Sequence, residues 1–348
     1  MSKKCFFLFI VLSVLLIQGC SEKQEIVSTE ESTVEESPVQ IGITFDTFVI
    51  ERWQRDRDVF VSTCKELGAD INVQNANGDV QEQLSQIDYF IEKKVDVLVI
   101  VAVDSDSLKN AVAKAKKAGI KVIAYDRMAL NANEDLYISF DNEKVGDLMA
   151  ETMISELPDG GPILVINGPK KDHNVEMMNE GFNKTIQDRD IRIVASAYMS
   201  EWKGEEAFQY LNDHPSLLYN IKGIVCGNDT LAGQTIRALS ERRLAGKVVV
   251  VGQDADLDAC QRIVEGTQTM TVYKPIEKLA KKAAECAVAM AEGKQFETET
   301  ISDGTYMVPY IGIEPVTVTK DNIDEVVIDS GFHLREDVYL NMPEQNLQ

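Results

Sequence analysis

Seven clusters of polar and aromatic residues carry whatever chemistry this sequence has: Asp46 with Arg52-Trp53, Asp126-Arg127, Asp172-His173-Asn174, Trp202, Asn228-Asp229, Asp254, and Lys274. Carboxylates, amides and guanidinium groups are planar forks, and each can hold a pair of neighbouring hydroxyls that both donate and accept hydrogen bonds. The chain has only 2 Trp, each expected in a loop after a strand and flanked by charges (Glu51-Arg52-Trp53-Gln54 and Ser200-Glu201-Trp202-Lys203), a setting that ordinary core packing does not explain. An indole plate covers the C–H face of a sugar ring with apolar contact and a favourable quadrupole. Together these residues suit a neutral, polyhydroxylated ring. Other readings stand beside this one: Asp126, Asp254 and Asn228 as helix N-caps, and Arg52, Arg127 and Lys274 as solvated surface charges.

Other chemistries find little support. The 3 His (His173, His214, His333) are not at metal-ligand spacing. Asp254-x-Asp256-x-Asp258 with Glu265 mimics a calcium loop, but Ala259 occupies the position where that loop turns on Gly, so no metal is expected. Neither a nucleophile elbow, a phosphate-binding Gly-rich loop nor a dinucleotide fingerprint is present, so the chain is not read as an enzyme and no cofactor is expected. A net charge of -22, from 35 Lys+Arg against 57 Asp+Glu, repels phosphate backbones and argues against nucleic acid as a partner.

The elements that must position these residues alternate. Apolar, β-branched runs at 40–45, 69–74, 95–103, 121–125, 162–167, 191–197, 222–226, 247–252 and 268–273 predict strands, and amphipathic stretches between them predict helices. Leu108, Ala111, Val112, Ala115 and Ala118, for example, share one helical face. Alternation of this kind builds a mainly parallel sheet with helices on both faces. Each polar cluster follows a predicted strand, and in such sheets ligands sit beyond the carboxyl ends of the strands. The stretch Gly119-IKVIAY-Asp126 is echoed by Gly246-KVVVVGQ-Asp254, which, with 348 residues and 44% hydrophobic content, suggests two similar α/β domains.

Lys3 and Lys4 ahead of the apolar run at 5–17 read as a secretory leader, too short for a comfortable membrane span. The run closes on Gly19-Cys20, which resembles a bacterial lipobox, so Cys20 is the expected lipidation site and first mature residue. An acidic, Ser/Thr-rich stretch at 20–38 then reads as a disordered tether. Cys64, Cys226, Cys260 and Cys286 lie far apart among apolar neighbours and are expected to be buried free thiols.

With these positions in hand, the chain resembles the type I periplasmic sugar-binding family, and within it the branch that takes D-xylose for bacterial ABC importers. The likeness runs from about Val39 to Phe332 and is carried by ERWQRDRD (51–58), YDRM (125–128), YISFDNEKVG (137–146), GND (227–229), GQDADL (252–257) and GTQTMTVYKPI (266–276). It implies that Arg52, Asp126, Arg127, Asn228, Asp254 and Lys274 hydrogen-bond the sugar, that Trp53 and Trp202 sandwich its ring, and that Asp172 and Asn174 complete the site. The segment GPKKDHNVEMMN around the last pair departs from the family wording, as does AYMSE before Trp202.

The resemblance also implies an architecture of two Rossmann-like, three-layer lobes hinged by three crossovers, near Phe140–Asp141, near Lys274–Pro275 and at about 310–315. Residues 39–140 with 275–310 are expected to form the N-terminal lobe, 141–274 with 311–335 the C-terminal lobe, and 336–348 a tail. The implied protein is a monomeric, lipid-anchored, extracytoplasmic receptor that closes on D-xylose or a related monosaccharide (ribose, arabinose or glucose) and delivers it to an ABC permease. A sensor that presents its closed form to a histidine kinase or chemoreceptor would need the same pocket.

Overall fold

The first strand, β1 (Gln40–Phe45), is buried from its second residue on. It opens a series in which strand and helix alternate: α1 (Arg52–Glu66), β2 (Asp70–Asn75), α2 (Val80–Lys93), β3 (Val97–Ile100), α3 (Lys109–Lys117), β4 (Lys121–Tyr125) and β5 (Leu136–Phe140). The structure, a computed structural model, describes residues 37–49 and 52–342. The leader at 1–19, Cys20, most of the tether and the end of the tail lie outside the described residues.

A second series follows: α4 (Asn142–Glu156), β6 (Gly161–Asn167), α5 (His173–Ile186), β7 (Ile191–Tyr198), α6 (Gly204–Asp213), α7 (Pro215–Leu218), β8 (Gly223–Cys226), α8 (Asp229–Ser240), β9 (Val249–Gln253), α9 (Leu257–Glu265) and β10 (Met270–Tyr273). The chain then continues through α10 (Ile276–Ala291), β11 (Glu299–Ser302), β12 (Met307–Ile313), β13 (Val316–Val318) and α11 (Arg335–Val338).

Two sheets result, ordered β11-β12-β5-β4-β3-β1-β2 and β13-β10-β9-β8-β6-β7. The first five strands of each series are parallel and fall in the same relative order, 2-1-3-4-5, so one doubly wound plan is used twice. The sequence echo has a backbone counterpart. Gly119 and Gly246 both take positive φ ahead of the fourth strand of their series, and Asp126 and Asp254 both take positive φ just after it. Central strands such as VLVI in β3 are buried throughout, as a parallel sheet covered on both faces requires.

The chain passes between the sheets three times, after β5, after β10 and between β12 and β13. The third crossing follows Ile313, because β12 stays paired with β5 from Tyr310 to Ile313. After each of the first two crossings the next helix joins the opposite layer: α4 packs with α5, and α10 packs against α1. A buried cluster runs from α1 and α10 to Cys260 and Ile263 of α9 and to Val327 and Val338 near the C-terminus, joining helices packed on the two sheets. Cys64, Cys226, Cys260 and Cys286 are free and buried, as expected.

Four strands were not foreseen. Every residue of β5 is buried, but it is short and follows β4 after a long polar loop. β11, β12 and β13 are an edge hairpin and a short edge strand, partly exposed and interrupted by Pro309 and Gly312, so neither apolar run nor clean alternation marks them.

Candidate functional site

The carboxyl ends of both sheets deliver side chains to one small chamber, the place where open α/β sheets bind ligands. The first sheet's layer contributes Arg52 and Trp53 from the first turn of α1, and Asp126 and Arg127 from the end of β4. From the second come Asp172 and Asn174 at the start of α5, Trp202 after β7, Asn228 before α8, Gln253 and Asp254 at the end of β9, and Lys274 after β10. All ten residues that the resemblance assigns to the site line this one space, whereas Asp46, His173 and Asp229 of the same clusters do not; the eleventh, Gln253, was not anticipated.

Trp53 is not in a loop. It lies in the opening turn of α1 and is 1% exposed, with the Arg52 guanidinium 4.3 Å from its ring centroid and Phe45 edge-on at 6.2 Å. The helix buries Arg52, Trp53, Asp56, Phe60, Thr63 and Cys64. That spacing is helical, but charged residues hold two of the inward positions, which hides it from a reading of apolar periodicity. Trp202 does follow its strand in a loop and is half-buried.

The capping alternative divides the candidates. Asp126 (φ 62°) and Asp254 (φ 100°) cap nothing; each sits in a backbone conformation that favours Gly, and α9 is instead preceded by Asp256 as its cap residue. Asn228 does cap α8, its Oδ1 accepting from the Leu231 amide at 2.9 Å, and Asp172 caps α5 by accepting from the Asn174 amide at 3.1 Å. Both still line the chamber, so Asn228 keeps its amide N–H groups as donors. Arg52, Arg127 and Lys274 are each at most 7% exposed and are not surface charges.

Three cations and three carboxylates balance within the lining. Arg52 donates to Asp126 at 2.6 Å and, at 3.3 Å, to Asp56 behind it. Arg127 pairs with Asp46 of its own lobe and, across the cleft, with Asp172 at 2.8 Å. Burial pushes the Asp126 carboxyl up, but Arg52, Lys274 and Arg127 outweigh it and hold the group below the usual carboxylate range. Asp46 and Asp56, one step back, are pushed up to about 6 by burial that Arg127 and Arg52 respectively only partly offset. A balanced lining leaves no net attraction for an ion and a dense array of fixed dipoles for hydroxyls.

Trp202 has a prepared seat. A Cβ on Gly168 would overlap its six-membered ring, and one on Gly227 would stand 2.8 Å from the Gly168 nitrogen and 3.1 Å from Cζ3, so Gly168 above all leaves room for the indole. Its Nε1 donates to Asp172 at 3.2 Å, which fixes the ring's rotation. Three buried polar atoms of the lining have no hydrogen-bond partner: Nε1 of Trp53, Oε1 of Gln253 and Oδ1 of Asp254. Lys274 Nζ stands 3.3 Å from that Asp254 oxygen, close enough for charge attraction but not aligned as a hydrogen bond. Buried polar groups in native proteins are nearly always paired, so one donor and two acceptors left open around one chamber point to a ligand with hydroxyls.

Comparison with known proteins follows the same line. The model of the periplasmic binding protein domain matches residues 41–295. The D-xylose-binding periplasmic protein of Haemophilus influenzae is 43% identical over 314 residues, covering 88% of this chain and 94% of that protein. Its namesake from Escherichia coli K12 is 43% identical, covering 85% and 91%. Among solved structures, an ABC transporter solute-binding protein from Clostridium phytofermentans with bound β-D-glucose superposes with a TM-score of 0.79 at 27% identity, covering 86% of this chain and 99% of that one. Fold, matched domain and relatives agree: the chain belongs to the type I periplasmic sugar-binding family.

Proposed function

We propose that this protein captures D-xylose between its lobes and presents the closed form to an ABC permease. The open donor and acceptors of Trp53, Gln253 and Asp254, in a charge-balanced chamber backed by two indoles, carry this reading. Relatives named for D-xylose at 43% identity support the choice of sugar. In this reading Arg52, Asp126, Arg127, Asp172, Asn174, Asn228, Asp254 and Lys274 hydrogen-bond the sugar, and Trp53 and Trp202 cover its ring. The lobes are 39–140 with 275–313 and 141–274 with 316–342, a division supported by strand membership in the two sheets. Sugar contacting both lobes shifts the population toward closure by its differential affinity.

One chain supplies the whole lining, so a monomer suffices. The family places the protein outside the cytoplasm, and Cys20 would tether it there through lipid; replacing Cys20 with Ser should release the protein from the membrane fraction. The reading itself is tested by calorimetry with D-xylose, then L-arabinose, D-ribose and D-glucose. One tight site for D-xylose supports it; heat from another sugar alone would reassign the ligand.

A further inference from the structure

Gln253 closes β9 beside Asp254, is 7% exposed, and reaches the chamber from the second lobe. Its Nε2 donates to the carbonyl of Gly227, the residue before Asn228. A carbonyl can only accept, so this contact fixes which end of the amide carries the nitrogen. The oxygen is therefore turned away from Gly227, and it is buried with no partner. An amide oxygen hidden from water and without a donor, on a residue that lines a ligand chamber, has a strong unmet demand for an O–H.

We propose that Gln253 is a further sugar-contacting, specificity-determining residue: its Oε1 accepts a hydrogen bond from one hydroxyl of the bound sugar. The inference rests on the sugar-binding reading above and deepens it. Asp254 next to it brings a charged acceptor held near Lys274, whereas Gln253 brings a neutral one whose direction is set by the Gly227 carbonyl. A neutral, fixed acceptor rewards a hydroxyl at one position of the ring and penalises its absence or inversion, because the oxygen then stays unpaired. The same amide links ligand to scaffold: the Gly227–Asn228 corner that caps α8 is held by the nitrogen while the oxygen holds sugar.

The test uses the intact protein and two variants. Gln253→Met is close in volume and removes the acceptor; Gln253→Glu keeps an acceptor and loses the donor to Gly227. Calorimetry with D-xylose and its monodeoxy derivatives is run on all three, alongside ligand-free melting temperatures. The expected result is that Gln253→Met weakens D-xylose by about ten- to a hundredfold, while one monodeoxy sugar binds wild type and variant alike, and Gln253→Glu retains the preference for that hydroxyl. An equal loss for every sugar would overturn the proposal and leave Gln253 a positioning residue for Asn228, and so would no loss at all. If wild type takes a different sugar, the xylose assignment fails, and the same comparison on that sugar's monodeoxy set decides Gln253 separately. If it binds no sugar, both fail.

Discussion

Arg127 and Asp172 meet across the cleft, Nε to Oδ2 at 2.8 Å, the one following β4 of the first sheet and the other capping α5 over the second. Further contacts join the lobes beside them. The Ser105 amide donates to the Lys171 carbonyl at 3.0 Å, the His173 amide to Ser105 Oγ at 3.3 Å, and Asn174 Nδ2 to the Asp126 carbonyl at 3.1 Å. These contacts join the two lobes in the arrangement the structure shows, and a sugar that touches both lobes would add to them.

Asp172→Asn removes the negative end of that bridge and leaves Arg127 with Asp46 alone. D-xylose should bind at least about tenfold more weakly, or roughly 1.4 kcal/mol, and small-angle scattering of the ligand-free variant should show a larger radius of gyration than wild type. Unchanged affinity and size would mean that the bridge does not contribute to closure.

Gly168→Ala should displace the Trp202 indole, since the added methyl overlaps the ring. The expected outcome is a loss of D-xylose affinity close to that of Trp202→Ala, with the double variant no worse than either single, because both act on one side chain. Additive losses would show that Gly168 acts elsewhere.

Trp53→Phe removes a buried N–H that has no partner in the ligand-free chamber. Sugar affinity should fall by about 1–3 kcal/mol if that N–H donates to a hydroxyl, while the ligand-free melting temperature falls far less. Equal damage to stability and binding would make Trp53 a packing residue only.

Stability should depend on pH through four buried carboxyls. Burial pushes Glu134 and Asp229 up to about 7, and Asp46 and Asp56 to about 6. A raised folded-state pKa means the folded protein holds protons that the unfolded chain has released, so stability from these groups is greatest at low pH and is lost as pH rises through 6 to 7. Asp126, held low, acts in the opposite sense, but only below the ordinary carboxylate range. The melting temperature of the ligand-free protein should therefore be higher at pH 6 than at pH 8. Glu134→Gln, away from the chamber, should flatten that slope; an unchanged slope would remove Glu134 from the account.

Much of the site was legible in the sequence because its residues follow buried strands whose β-branched runs are unmistakable: Asp126 after KVIAY, and Asp254 after VVVGQ. What stayed hidden did so for physical reasons. Arg52 and Asp56 occupy inward positions of α1 as an ion pair, so the helix that carries Trp53 reads as a charged loop. Gln253 is a neutral amide at a strand end with no charge or ring to mark it, and its importance lies in an unpaired oxygen that only the fold reveals. The strands β11 to β13, at the margins of the two sheets, bury too little to leave a pattern.

The most direct test is a crystal structure of the protein with D-xylose. The account expects one sugar in the interlobe chamber, ring between Trp53 and Trp202, with hydroxyls donating to Asp254 Oδ1 and Gln253 Oε1. Sugar seated instead in the neighbouring outer pocket lined by Asp46, Asn77, Lys171 and Glu201, or a chamber left without sugar at saturating D-xylose, would contradict it.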